Sequence, residues 1–352
     1  MASIETSQLD DLAPTADRLR PVRIWLYCIA VLVIVMVAVG GITRLTGSGL
    51  SIVEWKPISG TLPPLSEAEW VADFEAYKQI PQYQFVNKGM SLDEFKFIFF
   101  WEWAHRFLGR VIGVAFAIPF LVFFAQRRFS WNLAAPLAGL FVLGGFQGAL
   151  GWWMVSSGLS ERVDVSQYRL ATHLGAAAFL FMALIWVARR LEPRPMSPER
   201  PRWPIVLLLV LVYLQLVIGA FVAGLDAGLG YRTWPLMDGA LIPAGLDAMQ
   251  PGWRNLFENA LTVQFIHRGT AYLLALYTLY LLWRQARQGG FIGVHGWLPR
   301  IALLIGLQIV LGIATLLAAV PISLALGHQA LAFMLCGAIV AYLADMTGKT
   351  AR

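Results

Sequence analysis

An all-α integral membrane fold is predicted for this chain: eight transmembrane helices forming two pseudo-symmetric four-helix bundles, with both termini cytoplasmic. Three observations predict it: composition, the spacing of apolar runs, and a weak internal repeat. Of the 352 residues, 58% are hydrophobic and 14% charged, with a mean hydropathy of +0.64. A soluble domain carries about a quarter charged residues.

Apolar runs fall near 24–43, 97–124, 133–155, 170–188, 204–223, 260–283, 300–319 and 323–343. Each approaches the ~20 residues that a helix needs to cross a ~30 Å hydrocarbon layer. The two termini and the segments joining even to odd runs hold 15 of the 27 Lys and Arg residues, but only seven of the 21 acidic ones. Arg127, Arg128, Arg189, Arg190, Arg284 and Arg287 are among them. The positive-inside rule therefore places that face in the cytoplasm. A basic cytoplasmic rim facing the lipid bilayer accounts for the pI of about 9.5, and no nucleic-acid partner is needed. The first 23 residues contain no apolar signal-peptide core, and their four acids argue against a mitochondrial presequence, so a bacterial inner (plasma) membrane is expected. Cys28 and Cys336 both fall in apolar runs, form no CxxCH motif, and read as small packing residues.

The repeat divides the chain. A cytoplasmic tail (1–23) precedes a first four-helix half (24–190); a linker (191–203) precedes a second half (204–343), and 344–352 form a second tail. The linker lies within a stretch rich in Pro and Arg, Arg189 to Pro204. "GSGLSIVEWKPISG" (Gly47 to Gly60) follows the first run and "AGLGYRTWPLMDG" (Ala227 to Gly239) the fifth; each passes from Gly-Leu to a Trp, a Pro and a Gly. Gln-x-x-[Leu/Ile]-Gly occurs three times, at Gln147 to Gly151, Gln215 to Gly219 and Gln308 to Gly312. Repeats of this kind mark two-bundle membrane folds. The longest outward segment, 45–96, contains a charged, partly helical stretch from Ser66 to Gln79, and long loops of this sort serve as lids or docking surfaces.

Four histidines, His105, His173, His267 and His328, fall one each in the even runs, four to nine residues after the run begins, and so at one depth towards the outer face. His295 lies in a cytoplasmic loop. One intramembrane histidine is easily a hydrogen-bonded core residue; four in register, two per repeat, point to a shared ligand. Pairing His105 with His173 and His267 with His328 suits the two axial positions of a haem iron. Zinc normally needs a larger set of nitrogen or sulfur ligands than two histidines. Arg106 and Arg268 follow the first histidine of each pair, as partners for haem propionates or as interfacial snorkelling residues.

The halves differ three residues before that histidine, where Glu102 in "EWAHRFLGR" is matched by Gln264 in "QFIHRGTAY". A carboxylate on the same helix face as His105 suits chemistry at the haem edge, by taking a proton or stabilising a cationic intermediate. The plainer alternative is that Glu102 complements a helix N-terminus, although Asp93 and Glu94 fit that role better. No nucleophilic triad, Walker loop or dinucleotide fingerprint is present, which argues against hydrolysis, phosphoryl transfer and nicotinamide chemistry.

Taken together, "EWAHR", the second "HR", the histidines of the even runs and the Gly-Leu to Trp-Pro loops resemble the haem A synthase family over nearly the whole chain. "SGLSIVEWKPISG" is similar to the alphaproteobacterial and mitochondrial branch. The resemblance implies oxidation of a haem O methyl group to a formyl group through a hydroxymethyl stage. It further implies Glu102 as the catalytic carboxylate, His105 and His173 at the substrate haem, and His267 and His328 as axial ligands of a permanent haem b. Haem O synthase, cytochrome oxidase assembly factors and an electron acceptor are the implied partners. The chain lacks the outward-loop cysteine pairs of another branch. Two rival readings are a quinol-linked dihaem cytochrome b and a haem transporter or binding module, in which Glu102 would be dispensable.

Overall fold

Helices account for the regular structure of the described residues, 2–57, 59–192, 201–290 and 296–347, in the computed structural model; one isolated bridge, Met237 to Ala240, is the exception. His295, most of the expected linker (193–200) and the end of the second tail (348–352) lie outside the described residues.

Eight helices are long: α1 (Ala2–Leu45), α4 (Leu92–Ala125), α5 (Trp131–Val155), α6 (Gln167–Arg190), α7 (Trp203–Gly224), α10 (Ala260–Arg287), α11 (Trp297–Leu317) and α12 (Ile322–Thr347). Seven are long and apolar enough to cross a membrane; α10, at 28 residues, is the exception. Its composition explains this, because Gln264, His267, Arg268, Arg284 and Arg287 dilute its hydropathy. Four short helices belong to the two outward loops: α2 (Glu67–Tyr77) and α3 (Pro81–Phe85) in the first, α8 (Ala227–Gly230) and α9 (Asn255–Glu258) in the second.

The long helices pack in a pattern that repeats. In the first half α1 lies against α4 and α6, and α5 against α4 and α6; in the second α7 lies against α10 and α12, and α11 against α10 and α12. Each relation thus has its counterpart six elements later. The halves meet through α6 with α7, α1 with α12, and α6 with α12, again in the order a pseudo-two-fold requires. Small and medium apolar residues fill this seam: Ala178, Phe181 and Leu184 of α6, Phe333, Cys336 and Ile339 of α12, and Leu26 and Ile29 of α1 belong to one buried cluster.

At the basic end the seam is closed by charge. Arg189 forms a two-pronged pair with Asp345 at 2.8 and 2.9 Å, and the indole of Trp297 donates to the same carboxylate at 2.8 Å. A forked guanidinium-carboxylate contact is among the stronger polar interactions available.

α4 begins about five residues before its apolar run. Ser91 caps it, and Glu94 returns to the Ser91 backbone, completing a capping box. At 34 residues and ~1.5 Å per residue, α4 is about 50 Å long, well beyond a ~30 Å hydrocarbon core. The surplus outer turns support the first loop. Leu50, Phe74, Tyr77 and Ile80 pack with Phe95, Ile98 and Phe99 of α4 and Val155 of α5 in a second, separate core. Helix α2 starts where the Ser66–Gln79 stretch predicts, with Ser66 and Glu69 forming its capping box.

Two outcomes follow. Asp345→Ala leaves Arg189 without its forked partner, and is expected to cost about 2 kcal/mol, read as a lower apparent Tm in detergent. Backbone N–H groups of Leu65 and Ser66 hold the Glu69 carboxyl below its ordinary value of 4.5. A lowered folded-state pKa contributes stability present above the ordinary value and lost as pH falls through the lowered one. Acidification through that window is therefore expected to speed amide exchange in the first turn of α2, corrected for intrinsic rate.

Candidate functional site

Each of the four intramembrane histidines packs against a glycine on a neighbouring helix. A Cβ built on Gly40 of α1 would stand 2.6 Å from the His105 ring; on Gly151 of α5, 3.3 Å from His173; on Gly219 of α7, 3.1 Å from His267; and on Gly312 of α11, 2.8 Å from His328. Odd-numbered spans supply the glycines and even-numbered spans the rings. The glycines flanking the histidines in sequence have other tasks: Gly109 meets Met36 and Gly175 meets the Tyr213 hydroxyl.

His105 on α4 and His173 on α6 belong to the first half, and His267 on α10 and His328 on α12 to the second. In each half two further helices, α1 and α5 or α7 and α11, flank the pair. Nδ1 of His105, His173 and His328 is buried without a hydrogen-bond partner, while the Gln215 amide reaches Nδ1 of His267 at 3.1 Å. A buried polar nitrogen left unpaired costs about 1–3 kcal/mol, so these rings suit a ligand between them. Among the described residues no group of three or more His, Cys, Asp or Glu side chains could hold a metal ion. Two imidazoles in each half, each seated in the space a neighbouring glycine leaves, are a donor set that suits a macrocycle carrying its own iron.

Glu102 is buried, 3% exposed, and its oxygens are engaged. Oε2 accepts from the Ser51 hydroxyl and the Ile52 N–H, both at 2.8 Å, and Oε1 accepts from Arg106 at 2.7 Å. Because α4 begins at Leu92, Glu102 lies almost three turns inside it, and the N-terminal role falls to Asp93 and Glu94. Arg106 also donates to the carbonyls of Ile52 and Glu54, and Arg110 to those of Lys56 and Pro57. Three side chains at one-turn spacing, 102, 106 and 110, therefore grip residues 51–57 as a strap along α4. At its far end Trp55 stacks on Trp152 of α5, with ring centroids 5.8 Å apart. The strap thus bridges α4 and α5.

The second half repeats the arrangement with different chemistry. Gln264, also 3% exposed, donates to the carbonyls of Ala227 and Tyr231; Arg268 donates to those of Tyr231 and Thr233; and the Tyr272 hydroxyl accepts from the Trp234 indole at 3.0 Å. Arg268 also reaches Gln264, as Arg106 reaches Glu102. The mismatch between Glu102 and Gln264 is thus matched by the strap: one loop offers donors and the other acceptors. Both arginines have protein partners here, and the Nε of Arg268 is buried with none.

Sequence reasoning singled out Glu102, Arg106, Arg268 and the histidines, but not Ser51, Arg110 or Tyr272. The two quoted stretches contain the i, i+4, i+8 pattern, so the grip was present in them. The Gln-x-x-[Leu/Ile]-Gly motif likewise contains three of the four histidine-cradling glycines.

These features define a class: a multi-pass helical membrane protein of duplicated architecture, with two half-buried histidines in each half. Residues 23–340 match the family model described as COX15-CtaA, cytochrome oxidase assembly protein, and the chain belongs to that family. It is 55% identical to a protein of Azorhizobium caulinodans named heme A synthase, over 90% of this chain and 92% of the relative. Proteins of the same name from Chelativorans sp. and Bradyrhizobium diazoefficiens are 53% and 54% identical, over about nine-tenths of each chain.

Glutamine at position 102 would present one accepting oxygen to a strap that offers two donors, with Arg106 of α4 a third. Glu102→Gln is expected to accelerate amide exchange at residues 51–56 by about tenfold, from loss of roughly 1.4 kcal/mol of hydrogen bonding, with exchange at 228–234 unchanged.

Proposed function

We propose that the protein is a haem A synthase: it oxidises the methyl group of haem O to a formyl group, through a hydroxymethyl stage, in a bacterial inner membrane. The observation that carries this reading is the pair of duplicated bis-histidine sites with a carboxylate at only one, in a chain of this family. The chain crosses the membrane eight times, its halves span 24–190 and 204–343, and the histidines lie towards the periplasmic side, with both termini cytoplasmic. One histidine per even helix sets the two sites side by side, unlike a cytochrome that stacks haems along shared helices.

His105 and His173 would hold the iron of the substrate haem between α4 and α6. His267 and His328 would hold haem b, which would supply electron transfer. The strap over the first pair shields the reacting edge from bulk solvent, and Trp55 against Trp152 closes its free side. With water as the oxygen source, the first oxidation replaces a methyl C–H by C–OH and the second converts the hydroxymethyl to the formyl group; each releases two protons and passes two electrons to an external acceptor. Oε2 of Glu102 is occupied by two donors, whereas Oε1 accepts only from Arg106; Oε1 is therefore the oxygen with room to take a proton. Arg106 balances the charge of that carboxylate and keeps it turned to the site.

The test is to express the protein with a source of haem O and separate extracted pigments with mass detection. Haem A or its hydroxymethyl precursor is expected, and absence of both overturns the enzyme reading in favour of a carrier. Glu102→Gln is expected to retain bound haem and lose product by at least a hundredfold, the scale of general acid-base catalysis. Ser51→Ala removes one strap contact and leaves the carboxylate in place, so it should keep most activity; equal loss in both variants would reduce Glu102 to a strap anchor. His267→Ala should abolish bound haem b, and His105→Ala should not.

A further inference from the structure

The three glutamines of the Gln-x-x-[Leu/Ile]-Gly motif hold the same place, one turn before a glycine that cradles a histidine, yet they are not equivalent. Gln215 donates to the His267 carbonyl at 2.8 Å and accepts from the Thr270 hydroxyl. Gln308 donates to the His328 carbonyl at 2.9 Å, while its own side-chain oxygen is buried without a partner. Gln147, beside His173, bonds to nothing: its amide nitrogen and oxygen are both buried without a partner. The relation of Gln147 to Gly151 places it on the α5 face that carries the His173 cradle. Space is open there, since a Cβ on Gly144 or Gly148 would meet no atom within 4 Å. Two unpaired polar atoms among apolar helices are costly unless something pairs with them.

We propose that Gln147 recognises a hydroxyl group on the rim of the substrate macrocycle, and is a specificity-determining residue of the first-half site. A carboxamide presents one donor and one acceptor side by side, and an alcohol is the group that can answer both. Haem O carries an alcohol on its isoprenoid-bearing side chain; haem B carries none. Gln147, the one of the three with both polar atoms unpaired, therefore favours the hydroxylated macrocycle over haem B in the first half, whereas the amide N–H of Gln215 and of Gln308 is engaged by the carbonyl of the histidine it faces. This inference rests on the haem O reading of the His105 and His173 site.

The corresponding place in α1, four residues before Gly40, is Met36, so methionine is a side chain that this position accommodates, and Gln147→Met preserves size while removing both polar atoms. Full-length protein in detergent, with its second half loaded with haem b, is titrated with haem O and separately with haem B, and binding is followed by Soret absorbance. Wild type is expected to bind haem O more tightly. Gln147→Met should weaken haem O about tenfold and haem B less than twofold, bringing the two affinities together. An unchanged haem O affinity, or equal weakening of both haems, overturns the role of Gln147 while leaving the substrate reading intact. Failure of the wild-type first half to bind haem O at all overturns the substrate reading, and this inference with it. Gln308→Met in parallel should leave the haem O to haem B ratio as in wild type; a matching change there would show a general packing effect and overturn the proposal.

Discussion

An imidazole buried between membrane helices needs room for its ring and a partner for its nitrogens, and here the room comes from four glycines on adjacent helices. With any side chain at Gly40 or Gly312 the ring would have to move, because the added carbon would stand under 3 Å away. Close helix approach through small residues is a common way of packing membrane bundles, where apolar burial gives little drive for association. This fold uses the same device to set ring orientation, so helix packing and site geometry are one constraint. Everything nearer the outer face, including the straps and their clamps, is placed relative to those rings.

Duplication makes the departures informative. Backbone, histidines, cradling glycines and arginines recur; what changes is the polarity of the group that holds each strap, and the fate of the glutamine one turn before each cradle. Both changes in the first half leave chemistry available: a carboxylate in place of an amide, and an amide without a partner. Their counterparts in the second half donate to the protein itself, Gln264 to the second strap and Gln308 to the His328 carbonyl. The asymmetry is carried by two side-chain positions on an otherwise repeated scaffold.

Much of this was legible in the sequence because it rests on period and count. Apolar run lengths placed seven of the long helices to within five residues at each end, whereas α1 begins at Ala2, 22 residues before its run; one histidine per even run suggested the pairing. The outer start of α4 was less legible, since its first turns are amphipathic and are stabilised by a capping box and a loop core. The partners of Glu102 were hidden for another reason: Ser51 and Ile52 are about 50 positions away, and only the path of the strap brings them to α4. The arginines beside the histidines suggested a ligand, yet their guanidiniums lie against strap carbonyls, an interaction that residue type alone does not specify.

Helix α10 brings a further consequence. Its polar side chains are answered by other elements: Gln264 and Arg268 by the carbonyls of the second strap, and His267 by Gln215 of α7. The least apolar of the long helices thus has its polar side chains met by α7 and the loop after it, elements that precede it in the chain, so one set of contacts seats both the second strap and His267.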